Sequence, residues 1–349
     1  MNDAGINPFS VPDANPHAAR QQIAELIKRL RLVAETLPAD RIAPEDVKLL
    51  GQTMRELRRA FSVFAPYRGQ RKVTIFGSAR TPRDAPAYSQ AVAFGEAMVK
   101  HGWFVVTGAA TGIMEAGHRG AGRDRSMGLN IMLPFEQDAN EIIRGDSKLV
   151  TMKYFFTRKL MFVKECDAVV CLPGGFGTLD EAFEVLTLLQ TGKRELMPLV
   201  FLDAPGGSFW HDWLQYIRKN LLADNMISPD DLNLFRLTDN FDEAVAEVVG
   251  FYTLFHSMLY VNGRLVVRLL SRLSDERLDA VNNNFADILA DGRFRQETAV
   301  TGEPDLPELA SLTRLVFHFN RRSLGRLRQL IDFLNGGSAL RTDAASNGR

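Results

Sequence analysis

Residues 168–181 read Ala-Val-Val-Cys-Leu-Pro-Gly-Gly-Phe-Gly-Thr-Leu-Asp-Glu. A short apolar run enters Pro173-Gly174-Gly175-Phe176-Gly177-Thr178, and a helical pattern follows. Glycines in such a turn admit positive φ and let backbone amides approach a phosphate. Thr178 is a residue type that caps helices, and its hydroxyl can also donate to an oxygen. Asp180 and Glu181 would complement the helix N-terminus. An acid beside a phosphate cradle repels the phosphate, however. Glu181 therefore suits a neutral part of a ligand, such as sugar hydroxyls or an attacking water. Upstream, Arg158 and Lys159 fall in a second helical pattern. A guanidinium can hold a phosphate or brace a carboxylate through paired hydrogen bonds. The plain alternative for two adjacent cations is a solvated helix face.

Two further strand ends carry glycine. Gly77 and Ser78 open the turn Gly77-Ser78-Ala79-Arg80, where amides and side-chain donors can meet an anion. A tight turn with a solvated arginine is the alternative. Gly108 and Gly112 bracket Gly108-Ala109-Ala110-Thr111-Gly112, which opens another helix. Neither a G-x-G-x-x-G fingerprint nor a G-x-x-x-x-G-K-[ST] loop is present there, which argues against an ordinary dinucleotide enzyme and a Walker-type NTPase. Glu115, just inside that helix, serves the site or simply the helix dipole.

These turns need a scaffold. Short apolar runs at 73–76, 103–107, 128–133, 168–172 and 199–202 read as strands. Helical patterns at 86–101, 112–124, 154–165, 178–191 and 208–222 separate them. Strand–helix alternation with continuous apolar strands implies an α/β fold, a doubly wound parallel sheet of the Rossmann-like kind. Ligands in such sheets bind beyond the carboxyl ends of the strands at the switch point in strand order. The expected organisation is a disordered start (1–17), N-terminal helices (18–70), a catalytic unit (71–250), a C-terminal helical extension (251–335) and a disordered tail (336–349). The run from Phe251 to Leu273 is strongly apolar, and Arg314, His318, Arg321, Arg322, Arg326 and Arg328 form a basic stretch. That stretch suits either an anionic regulator or a solvated or subunit-facing helix.

Composition bounds the function. The 349 residues carry 42 Lys+Arg against 42 Asp+Glu, which disfavours a general nucleic-acid coat or a polybasic membrane binder. Two cysteines, Cys166 and Cys171, exclude a disulfide scaffold and read as buried thiols near a strand. No metal cluster stands out among the six histidines. The start lacks a signal peptide, and no stretch reaches the ~18 apolar residues of a membrane span, so the expected location is cytoplasmic.

Arg158-Lys159 followed by Pro-Gly-Gly-Phe-Gly-Thr-Leu-Asp-Glu resembles the Lonely Guy (LOG) family. These are phosphoribohydrolases that release cytokinin bases from riboside 5′-monophosphates. The family motif P-G-G-x-G-T-x-x-E is matched in full by Pro173 through Glu181. The resemblance spans residues 71–250. It implies that Arg158 and Glu181 are catalytic. It implies that Lys159, Gly175, Phe176, Gly177, Thr178, Leu179, Asp180, Thr187 and Glu136 bind substrate, and the turn itself adds Gly174 as a substrate-binding candidate. The Gly108–Glu115 segment departs from the plant-type Gly-Gly-Gly turn and is similar to a longer bacterial branch.

The implied reaction is hydrolysis of the N-glycosidic bond of a purine nucleoside 5′-monophosphate, AMP-like, to free base and ribose 5-phosphate. No cofactor or metal is expected, and a homo-oligomer, dimer or hexamer, is. Older family labels name a lysine decarboxylase, but no lysine here sits in a recognisable pyridoxal-phosphate context. The alternative is a non-catalytic carrier or sensor of a phosphorylated ligand, like the molybdenum-cofactor carriers, which would not need the Arg–Glu pair.

Overall fold

The computed structural model describes residues 16–133, 138–304 and 306–337. The segments expected to be disordered at 1–15 and 338–349, and the candidate Glu136, lie outside the described residues.

Two helices lead the chain, α1 (Pro16–Thr36) and α2 (Pro44–Phe64). Both begin with proline, whose fixed φ and missing N–H suit a first helical position; α1 thus starts earlier than the expected residue 18. The parallel-sheet unit follows in order: β1 (Lys72–Phe76), α3 (Pro86–Lys100), β2 (Phe104–Thr107), α4 (Ile113–Ala121), β3 (Ser126–Ile131), β4 (Leu149–Met152), α5 (Phe155–Glu165), β5 (Ala168–Cys171), α6 (Phe176–Gln190), β6 (Leu199–Leu202), α7 (Phe209–Tyr216), β7 (Arg236–Thr238) and α8 (Phe241–Gly250).

The seven strands form one parallel sheet in the order β4-β3-β2-β1-β5-β6-β7. The order reverses at β1 and β5, which pair with Val73 beside Ala168 and Phe76 beside Cys171. The turns after these two strands are the first and third glycine turns, so the sequence motifs flank the switch point.

Successive strand residues point to opposite faces, and each face is buried. Val73, Ile75, Ala168 and Val170 pack with α3, α4 and α8. Phe76, Phe104, Val169, Cys171 and Phe201 pack with α2, α5, α6 and residues from beyond 250. This explains strands that read as unbroken apolar runs. Cys166 and Cys171 are free and buried, as expected from their type. Edge strands β4 and β7 escaped the sequence reading because Leu-Val-Thr-Met and Arg-Leu-Thr are short and partly polar.

The segment expected to be a C-terminal helical extension is instead built around a four-stranded antiparallel sheet with two α-helices. β8 (Phe255–Val261), β9 (Arg264–Leu269), α9 (Asp275–Asn284), β10 (Leu289–Glu297), β11 (Thr313–Phe319) and α10 (Leu324–Leu334) follow one another. The four strands pair antiparallel in the order β10-β11-β9-β8. The physical reason is the Asn262-Gly263 pair, with φ of 49° and 82°. Two adjacent positive φ angles make the tight hairpin turn that asparagine–glycine favours, and an apolar run folded back there pairs with itself.

The basic stretch is likewise split between β11 and α10 and largely neutralised internally. Arg314 and Arg268 share the buried Glu303 carboxylate at 2.9 and 2.6 Å. Arg326 pairs with Asp287 at 2.9 Å. Arg328, 1% exposed, pairs with Glu247 and with Asp332. His318 meets Asp291, and the Arg321 guanidinium lies over the Tyr260 ring. The stretch is thus not a single helix face, and Arg314 and Arg328 are held in internal ion pairs while Arg321 and Arg322 stay exposed.

Candidate active site

The three glycine turns meet at the carboxyl edge of the sheet. Ser78 N–H donates to Pro173 O at 3.1 Å, and Ile113 N–H donates to Ser78 O at 3.0 Å. Residue 78 thus ties the first turn to the other two. Gly112, at φ +64°, comes so close that a Cβ would sit 2.3 Å from Ser78 O. A Cβ on Gly77 would overlap the Ile113 side chain. Gly174 is equally closed: its Cβ would lie 2.2 Å from Thr178 Oγ1 and 3.0 Å from Ser78 N.

The second turn is held from behind. Thr107 Oγ1 accepts from Ala109 N–H, while Asn140 donates to Ala109 O and Ala110 O. Ala109 is kept at φ 60°. His118 braces this network, with Nε2 near Thr107 Oγ1 and Met127 O and Nδ1 near Asn140 Nδ2. Full burial pushes its pKa down to about 4, so the imidazole is neutral. Glu115 accepts from Arg83, Tyr88 and Arg119 and is buried, so it is a structural bracket as well as a first-turn acid.

At the third turn, α6 starts at Phe176 with Gly175 as its cap residue. Thr178 N–H and Leu179 N–H both donate to Gly175 O. Thr178 therefore lies inside the first turn and is not the cap expected from its type. The amides of Phe176 and Gly177 precede the first intrahelical bonds, the position where helices receive anions. Thr178 is buried, whereas Gly175, Phe176, Gly177 and Asp180 are exposed or half-exposed and Leu179 is half-buried or less. Thr187 lies further along α6, its hydroxyl donating to Phe183 O.

Glu181 sits on the next part of α6, 5% exposed. Its Oε2 is buried and receives no hydrogen bond. Desolvation raises its pKa to about 7, against the pull of Lys159 and Arg158. The Arg158 guanidinium stacks 5.0 Å from the Phe155 ring centre and 5.6 Å from that of Phe162. It also borders the second turn, where a Cβ on Gly108 would stand 3.7 Å from Arg158 Nη1. Lys159 Nζ lies 2.9 Å from Asp180, 2.7 Å from Glu184 and 3.9 Å from Glu181. Sequence reading missed Glu184, although its four-residue spacing from Asp180 puts both acids on the Lys159 side of α6. Arg158, Lys159, Glu181, Gly108 and the Gly174–Thr178 turn are thus brought together. Thr187 is more peripheral.

Known proteins share this arrangement of sequence. A family model described as "Possible lysine decarboxylase" matches residues 107–248. The cytokinin riboside 5′-monophosphate phosphoribohydrolase of Mycobacterium tuberculosis (strain ATCC 25618 / H37Rv) is 30% identical over 175 residues, covering 48% of this chain and 88% of the relative. The chain belongs to the LOG family. Another LOG relative, the probable cytokinin riboside 5′-monophosphate phosphoribohydrolase LOGL5 of Oryza sativa subsp. japonica, is 29% identical, covering 46% of this chain and 63% of the relative. A solved structure of the molybdenum cofactor carrier protein from Chlamydomonas reinhardtii aligns with a TM-score of 0.37 at 17% identity, covering 52% and 96% of the two chains. The LOG match leaves α1, α2 and the antiparallel sheet outside the matched family segment.

Proposed function

We propose that this LOG protein hydrolyses the N-glycosidic bond of purine nucleoside 5′-monophosphates, cytokinin nucleotides among them, to a free base and ribose 5-phosphate. The observation that carries this reading is Glu181: a buried carboxylate with one open oxygen, between two cations and one helical turn from the glycine turn. Cleavage at an anomeric carbon builds positive charge on the ribose, and an adjacent carboxylate stabilises it. The open Glu181 Oε2 receives a ribose hydroxyl or the attacking water, taking its proton when ionised. The water oxygen bonds to the anomeric carbon, and the base leaves with its bonding pair and takes up a proton. The α6 amides and the Gly174–Thr178 turn take the 5′-phosphate, which gives nucleotides the advantage over nucleosides. Arg158 and Lys159 keep the neighbouring negative charges compatible.

The test is incubation with AMP, following adenine by chromatography and ribose 5-phosphate as reducing sugar. AMP, GMP, CMP, UMP and an isopentenyl-adenine nucleotide rank the bases. Binding of mononucleotide without any base release would favour the carrier reading instead.

We read the protein as a cytoplasmic homo-oligomer. Apolar side chains stand exposed along α1 (Ile23, Leu26, Leu30, Val33) and the first half of α2 (Val47, Leu50, Met54). Phe155, Phe156 and Phe176 add a second exposed apolar group near the site. Contiguous exposed apolar surface of this kind marks interaction sites. No described helix is long and apolar enough to cross a membrane.

A further inference from the structure

We propose that Glu56, on α2, is a positioning residue that holds the N-terminus of α5 and thereby aims Arg158 and Lys159; this rests on the catalytic reading of Arg158 and Glu181.

The helix α5 has no side-chain cap of its own, because Tyr154 occupies the cap position and cannot serve. A carboxylate from about a hundred residues upstream instead holds the two amides just ahead of the first turn, those of Lys153 and of the cap residue Tyr154. Glu56 Oε1 accepts from Lys153 N–H at 3.0 Å, and Oε2 accepts from Tyr154 N–H at 3.5 Å. The Thr157 hydroxyl lies 2.7 Å from Oε2. Thr157 immediately precedes Arg158, so the clamp acts on the backbone that launches Arg158 and Lys159.

The clamp is itself anchored. Glu56, Ala60 and Phe64 recur every four residues on one face of α2, and all three are buried. Ala60 and Phe64 belong to the core that also contains Met161 and Phe162 of α5. Gln52 Nε2, one turn earlier, donates to Glu56 Oε1 at 2.9 Å and fixes the carboxylate rotamer. Burial opposes the charge, but the hydrogen bonds from Gln52, Thr157, Lys153 and Tyr154 outweigh it and keep the carboxyl below its ordinary pKa. An anion at a helix start is favoured twice, by hydrogen bonding and by the dipole. Residue 56 lies outside the segment 107–248 that the family model matches.

The experiment compares Glu56→Gln, Glu56→Ala, Thr157→Val and the double variant Glu56→Gln/Thr157→Val. Amide hydrogen exchange of the ligand-free full chain is read at residues 153–159, alongside kcat and KM for AMP. The expected result is loss of exchange protection at the start of α5, with the parallel sheet unchanged. Turnover is expected to fall about tenfold or more with KM nearly constant, since small misplacements of catalytic groups cost that much. Glu56→Gln keeps the shape and one acceptor oxygen, so its loss is expected to be smaller than that of Glu56→Ala. In the double variant the effects of the two substitutions should not add, because both cut one contact. Unchanged protection at α5 together with wild-type kcat in both Glu56 variants would overturn the inference, as would strict additivity. If the wild type released no base from AMP, the functional reading would fall, while the exchange measurement would still decide whether Glu56 holds α5.

Discussion

Lys159 Nζ stands 3.9 Å from Glu181 Oε2, a distance that attracts the carboxylate without a direct hydrogen bond. Its short contacts go to Asp180 and Glu184 instead. The lysine therefore tempers Glu181 through space and leaves the inner oxygen open for a ligand.

Replacing Glu181 by Gln should preserve the fold and AMP binding while turnover falls by about 10³, the range for a lost acid–base group. Stability should move the other way. The folded pKa of about 7 exceeds the ordinary 4.5, so the native state holds the extra proton between those values. Stability of the wild type falls as pH rises through that window and is lower by about 3 kcal/mol above it. The variant should melt higher than wild type at about pH 8, and the gap should close once the pH drops below the ordinary carboxyl value.

The acidic limb of kcat/KM should lie near pH 7 if ionised Glu181 is required. Lys159→Met removes an attraction that favours the ionised form, so the limb should shift to higher pH. A limb that stayed in place would remove Lys159 from this role.

Gly174→Ala forces a Cβ against Thr178 and the Ser78 amide, whereas a Cβ on Gly175 or Gly177 meets nothing within 4 Å. Gly174→Ala should lower the melting temperature and weaken ribose 5-phosphate binding. Gly177→Ala lies within α6 and should stabilise by up to about 1 kcal/mol. Loss of ligand binding in Gly177→Ala with raised stability would place the phosphate at that amide.

Arg328 is buried against Glu247 of α8 and Asp332 of α10. Arg328→Ala removes a buried cation that pairs with both carboxylates and should cost about 3–5 kcal/mol. Chemical denaturation measures it, and a loss below about 1 kcal/mol would mean the pair is solvated.

The full chain should exceed monomer mass in light scattering at micromolar concentration. Leu26→Asp/Leu30→Asp should reduce that mass if α1 carries the contact, and a monomeric wild type would end the oligomer reading.

The parallel sheet and most of the site were legible because their signals are local. Arg158-Lys159 and Pro173–Glu181 are contiguous, and both-face burial writes largely apolar, non-alternating runs into β1, β2, β5 and β6. What stayed hidden depends on distant partners. Glu56 reads as one more charge on an amphipathic helix until Lys153 and Thr157 are folded against it. Arg314 and Arg328 read as surface cations until Glu303 and Glu247 are in place. The antiparallel sheet was announced by Asn262-Gly263, a signal outweighed by the apolar density around it.

One core runs from Phe64 through Cys171 and Phe201 to Phe255, Leu315 and Leu334 without interruption. During synthesis, the part of that core supplied from beyond residue 250 is missing until the antiparallel sheet and α10 have been made. Shortening the gene so that α10 and the antiparallel sheet are lost should yield a polypeptide that aggregates, not a smaller folded protein.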